Sequence, residues 1–190
     1  MANNNSPFGF RPTIRAGGAP FSVTEYGKPS GDSHAIFMFD LAIYNTLESM
    51  ALPESPQGYN LPNAQTAYQA TAGTSLYLGA SLAYGAASTA SVHPVTDEID
   101  VIYLAQCKTG TTISTSSHVG LNANISLTTA GSTVTKQSGL AVDGGTINTT
   151  STLDLNILKV AMISPNAEGD SAILEVRINK HQFAQGTAGA

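Results

Sequence analysis

Four histidines, one cysteine and one run of carboxylates are the groups of this 190-residue chain best suited to acid–base, nucleophilic or metal chemistry. His34, His93, His118 and His181 lie far apart in sequence, each beside turn-like residues. A catalytic triad would need the fold to gather such groups, because a nucleophile works only with a base in hydrogen-bond reach and a third group orienting that base. No local spacing does this, and surface or hydrogen-bonded structural histidines are the plainer expectation. Cys107 is alone, so the chain forms no internal disulfide and no multi-cysteine metal site; it reads as a small buried apolar residue. "TDEID" (96–100) groups Asp97, Glu98 and Asp100 but lacks the one-apart oxygen ligands and the glycine of a calcium loop, and reads as the solvated start of a strand. The Gly-Gly pairs at 17–18 and 144–145 have neither the spacing nor the lysine that cradle a phosphate, and there is no G-x-S-x-G or H-E-x-x-H. "NIS" (124–126) and "NTT" (148–150) match the glycosylation pattern, which carries weight only with a secretory signal. These readings predict a protein that is not an enzyme and holds no cofactor and no metal.

The composition narrows the partners. Charged residues make up 11% of the chain, against roughly 25% in a typical soluble domain. The surface must then be covered by Ser, Thr, Asn, Gln and Gly, which repel one another poorly and favour extended contact with other protein. The formal net charge of −5 is uneven, because Arg11 and Arg15 precede the first acid, Glu25, and the rest of the chain carries the acidic excess. A nucleic-acid-binding body, which needs a basic patch to displace counterions from phosphates, is not expected. The N-terminus "MANNNSPFGF" lacks the apolar region of a signal peptide, and the apolar run Ile36 to Tyr44 is interrupted by Asp40 and far too short for a membrane span. The expectation is a soluble protein made in a cytoplasm.

The elements that would position these groups are strands. "AIFMFDLAIY" (35–44), after the turn signal "PSGDS", reads as a buried strand. "SLYLGASLAYGAAS" (75–88) reads as packed strand or tight loop, since its small residues let neighbouring backbone approach. "EIDVIYLAQ" (98–106) reads as a strand buried on much of both faces. In "VGLNANISL" (119–127) every second residue is apolar, the pattern of a strand with one wet face. Between Leu153 and Ile163 the apolar set Leu153, Leu155, Ile157 switches phase to Leu158, Val160, Met162, as a β-bulge would require. After a turn at 165–169, Ala172, Leu174, Val176 and Ile178 form one apolar face, so the two segments read as a hairpin. Residues 45–75, broken by Pro53, Pro56 and Pro62, are a loop-rich insertion in which "NAQTAYQAT" (63–71) could form a short helix. The predicted fold is all-β, a jelly-roll-like sandwich or barrel. Residues 1–20 form an extended N-terminal arm, and residues 21–190 form a single β-rich domain.

Three stretches, "SPFGFRP" (6–12), "HVGLNANISLTTAGSTVTKQSG" (118–139) and "LKVAMISPNAEGDSAILEVRINKHQF" (158–183), occur in this order. Together they resemble the cement, or capsid decoration, proteins of tailed bacteriophages. The resemblance covers the arm and most of residues 95–185, and residues 45–75 have no counterpart in it. It implies a β-rich virion protein, made in the bacterial host cytoplasm, that binds the outer surface of an assembled capsid and strengthens it by bridging major capsid protein subunits. It implies no catalytic residue and no cofactor. A homo-oligomer is expected, a trimer ahead of a dimer, with no nucleic-acid or membrane partner.

In an extended arm Phe8 and Phe10, two residues apart, face the same way and can enter an apolar groove on a neighbouring subunit. Gly9 permits close backbone approach, Arg11 can pair with a carboxylate, Pro12 lowers the entropy lost on ordering, and Arg15 adds a second cation. Phe8, Phe10, Arg11 and Arg15 are therefore the expected partner-binding residues. The competing reading has the Phe pair packing back onto its own barrel. A second functional class stays open, a carbohydrate- or cell-surface-binding β-sandwich displayed on the virion, because low charge and Thr/Asn/Tyr-rich loops suit sugar recognition.

Overall fold

The computed structural model describes residues 3–51, 60–66, 75–108 and 110–184, with the backbone alone for residues 44–51 and 60–66. The chain is all-β. One sheet has six strands in the order β1 (Arg11–Arg15), β7 (Val101–Gln106), β11 (Ile173–Ile178), β10 (Leu155–Val160), β8 (Asn122–Ser126) and β9 (Ala141–Asn148), all neighbours antiparallel. The other has five, in the order β5 (Tyr77–Ala80), β3 (Leu41–Ala51), β4 (Asn60–Thr66), β2 (Thr24–Lys28) and β6 (Ser91–Val95), with β2 and β4 parallel. Among the described residues the one helix is a single turn, α1 (Thr115–His118), so none is long and apolar enough to cross a membrane.

Both sheets feed one core. Leu41, Tyr77 and Ala80 of the five-stranded sheet pack with Val101, Tyr103, Ile125, Leu155, Leu174 and Val176 of the six-stranded one. The larger sheet curls until Val142 of β9 bridges Cys107, just past the end of β7, which buries the cysteine completely.

The β10–β11 hairpin forms with the predicted phase switch, but β10 ends at Val160, and Met162, expected on the switched apolar face, is exposed beyond it. Leu155 and Ile157 face the core, the register slips between Ile157 and Lys159, and beyond the slip Val160 packs against the core while Lys159 reaches Glu175, at 3.1 Å, on the outer face. One extra residue thus turns the strand over without losing its partner.

Elsewhere the structure departs from the sequence pattern. The apolar run 35–44 is not one strand: Ile36 and Met38 make isolated bridges, the chain turns over residues 37–40 with Phe39 at φ 72°, and β3 starts only at Leu41. Asp40 causes the break, its carboxylate accepting the Phe37 N–H at 2.8 Å and holding the turn as Asp side chains do. Asn63–Thr66, part of the proposed short helix, lie in β4, and residues 67–71 fall outside the described residues. The alternate face of β8 is not wet, since Asn122 is fully buried and donates to the Thr150 carbonyl at 3.0 Å.

Candidate functional site

The N-terminal segment is built into the molecule. Phe10 is fully buried in the core cluster and its N–H donates to the Phe39 carbonyl at 2.9 Å. Gly9 makes this entry, with φ +79° and so little room that a Cβ would lie 2.5 Å from both the Phe39 oxygen and the Ser138 Cβ. The left-handed glycine also breaks the strand alternation. Phe10 goes to the core, while Phe8 stays half-buried at a separate surface cavity of about 220 Å3 beside Gln106, Pro165 and Ile173. The expectation that both rings face one partner groove is corrected accordingly: Phe10 is occupied by its own fold.

A buried amide that the sequence reading missed ties down what precedes. Gln106, at the end of β7, accepts the Ser6 N–H through Oε1 at 2.8 Å and donates through Nε2 to the carbonyls of Asn4, at 2.6 Å, and Ser171, at 2.9 Å. Asn3 donates to the Ala167 and Asp170 carbonyls, each at 2.9 Å. A lone Gln closing an apolar strand was the available signal, because a polar group there must find partners.

Arg11 and Arg15 are the two ends of β1. Arg11 is exposed, whereas Arg15 donates through Nε to Asp100 at 2.9 Å and lies 3.2 Å from Glu98 through Nη1. The hydrogen bond to Asp100 and both carboxylates push the Arg15 pKa up, and the same hydrogen bond holds the Asp100 carboxyl below its ordinary value. Glu98 also accepts the Ser22 N–H at 2.9 Å, and Asp97 accepts the Tyr26 hydroxyl at 2.8 Å. The carboxylates of "TDEID" are thus bound by the protein's own donors. Around this network Ile14, Val23 and Ile99 are 46%, 47% and 49% exposed, each within one residue of a network member. Among the described residues the outer edge of β1 has no strand beside it, and Pro12 and a register shift between Pro12 and Ile14 blunt it against strand addition.

A second exposed apolar feature is an open groove of about 750 Å3 past the end of β10, where Met162 is 92% and Ile163 42% exposed.

The histidines stay apart. His93 is fully buried, with Nδ1 3.1 Å from the Ser81 Oγ and Nε2 2.8 Å from the Ser91 Oγ, and burial lowers its pKa. A serine beside a neutral imidazole is half of a hydrolytic site, but Gly85 closes it: a Cβ there would stand 2.5 Å from the ring Nε2 and 2.6 Å from the Ser91 Oγ. His181 is buried near Phe183, His34 Nδ1 is 3.2 Å from an Asp32 oxygen, and His118 Nδ1 accepts the Ser114 N–H at 3.1 Å. The described residues contain no group of three His, Cys, Asp or Glu able to hold a metal ion. Burial pushes the Cys107 thiol up to about 11, away from a reactive thiolate.

No protein-family model matches the chain, and no curated protein or solved structure matches it.

Proposed function

We propose that this protein is a structural component of a phage virion that binds the outer surface of the assembled capsid and stabilises it by bridging major capsid protein subunits. The observation that carries the reading is the surface around Arg15. Three half-exposed apolar side chains, Ile14, Val23 and Ile99, each lie within one residue along the chain of a charge network whose geometry is already fixed by internal partners. Exposed aliphatics and a pre-organised arginine are residue types of an interface core, and the ordering cost of that arginine is met before binding. The low charge of the chain and the three stretches resembling cement proteins support the same reading. Contact is side chain to side chain, because Pro12 and the register shift of β1 oppose strand addition. Each copy binds the assembled lattice in preference to free subunits, so many modest contacts, made by a homotrimer, hold the shell by mass action.

Co-sedimentation with capsid shells lacking the protein tests this. The wild type should bind saturably, and an Ile14→Asp/Ile99→Asp variant should bind about tenfold or more weakly, with its thermal midpoint unchanged. Saturable binding that the variant retains moves the contact to the Met162 groove. An absence of saturable binding overturns the function.

A further inference from the structure

Residues 33–40 and 129–140 line a cavity of about 210 Å3, with apolar wall from Ala35, Phe37, Ala130 and Leu140 and polar groups from Ser33, His34, Asp40 and Thr129. Asp40 is only 3% exposed, and its described donors, the Phe37 N–H at 2.8 Å and the Ser138 hydroxyl, are both neutral. No cation of the described residues comes within ion-pair distance of it. Lys136, on the facing loop, directs its ammonium over the Tyr84 ring instead, 4.2 Å from the centroid, and that ring lies 5.5 Å from Phe37. Burial raises the Asp40 carboxyl to about 6, so at neutral pH it is a buried anion with no Lys or Arg beside it, while His34, also at the cavity, has its ring 3.2 Å from an Asp32 oxygen; this is a costly arrangement. The turn that folds this carboxylate back carries Phe39 at φ 72°, backbone strain of the kind found where a ligand is clamped.

From this cavity we infer a binding site for a small organic cation, an alkylammonium or alkylguanidinium group, whose charge pairs with Asp40 and whose apolar stem lies against Phe37, Ala35, Ala130 and Leu140. A metal ion fits poorly, because it needs several strong oxygen ligands and the cavity offers a single carboxylate beside the neutral hydroxyls of Ser33 and Thr129. A neutral guest would leave the carboxylate uncompensated. The hydroxyls of Ser33 and Thr129, also at the cavity, can accept the further N–H groups of a guanidinium. The same chemistry is offered by a free amine and by a Lys or Arg side chain of a partner protein. The site stands independently of the capsid-binding role, and failure of either leaves the other untouched.

The test titrates the full chain with n-butylguanidinium and with n-butylurea, its neutral isostere, following the Phe37 amide by NMR and the affinity by calorimetry. The expected result is saturable one-site binding of the guanidinium that shifts the Phe37 amide, with the urea bound about tenfold or more weakly, as loss of a charge-assisted hydrogen bond dictates. Asp40→Asn, which keeps an acceptor for the Phe37 N–H, should weaken the guanidinium by a similar factor. Ala130→Leu, which fills the cavity without touching the charge, should abolish binding. Equal binding of urea and guanidinium, undiminished binding by both variants, or no saturable signal overturns the site. An acetylated Gly-Arg-Gly amide that binds more tightly than butylguanidinium identifies a partner's side chain as the natural guest; the reverse order identifies a free cation.

Discussion

Replacing Phe10 with alanine decides whether the N-terminal aromatic pair serves the fold or a partner. Phe10 has no exposed surface and sits in the core cluster with residues of both sheets. A buried phenylalanine removes about 150–250 Å2 from water, which at about 25 cal/mol per Å2 is worth roughly 4–6 kcal/mol. Alanine keeps part of that and leaves a cavity, so the expected loss is about 3–5 kcal/mol. For a chain of this size each kcal/mol moves the thermal midpoint by about 2–4 °C, giving a fall of roughly 6–20 °C. Phe8, half-buried beside a cavity that is already open, should lose less than half as much on the same change. Urea unfolding and thermal melts of Phe8→Ala and Phe10→Ala, run side by side, provide the measurement. A Phe10→Ala loss below about 1 kcal/mol, the scale of an ordinary surface change, would refute the placement of this ring in the core. The placement also means that a capsid-binding defect in Phe10→Ala reports on the fold, which is why the interface test uses Ile14 and Ile99.

Three further outcomes follow from particular environments. Burial lifts the folded Asp40 carboxyl to about 6 from an ordinary value of 3.8, so between those values the folded state binds the proton more tightly; stability should fall as pH rises from about 4 to 6 and level off above. Asp40→Asn should remove that slope and raise stability at pH 7 by up to about 2–3 kcal/mol, and denaturation curves across pH with an unchanged slope would contradict the assignment. Cys107, buried with its thiol near 11, should not react with Ellman's reagent at pH 8 until the protein unfolds, then react fully. Gly85→Ala, whose Cβ would meet His93 and Ser91, should cost about 1–3 kcal/mol by overpacking, whereas Gly17→Ala, with nothing within 4 Å, should leave the melting temperature unchanged or slightly raised.

The sheet architecture was readable where the apolar pattern is local. The phase switch at Ile157 and Leu158 located a bulge because a strand's two faces differ by one residue, and the pairing of β10 with β11 follows from it. Polar residues inside were not readable by the same means. Asn122 looks solvent-facing until the Thr150 carbonyl and the Asn156 side chain, both distant in sequence, are placed beside it. Asp40 registered only as an interruption of an apolar run, while its role in ending that run depends on a hydrogen bond to Phe37 that hydropathy does not encode. At the candidate surface, the residue types of "SPFGFRP" serve self-packing and partner binding equally well. The choice depended on the backbone at Gly9 and on carboxylates 85 residues from Arg15. The aliphatic residues near that network along the chain, Ile14, Val23 and Ile99, are unremarkable in the sequence, and their exposure shows only in the folded chain.

The Gln106 amide sets an order of events during synthesis. It holds Asn4 across 102 residues and also needs the Ser171 carbonyl, so residues translated well before β7 are secured only once β7 and the Ser171 segment are in place. At about 5–20 residues per second, the interval between translation of Phe10 and of its β7 neighbours is on the order of ten seconds. Throughout it, two phenylalanines wait in the nascent chain with no core to enter. The Asn, Ser, Pro and Arg residues that flank them keep that segment hydrated, and so act as a built-in safeguard against aggregation until the sheet that receives it exists.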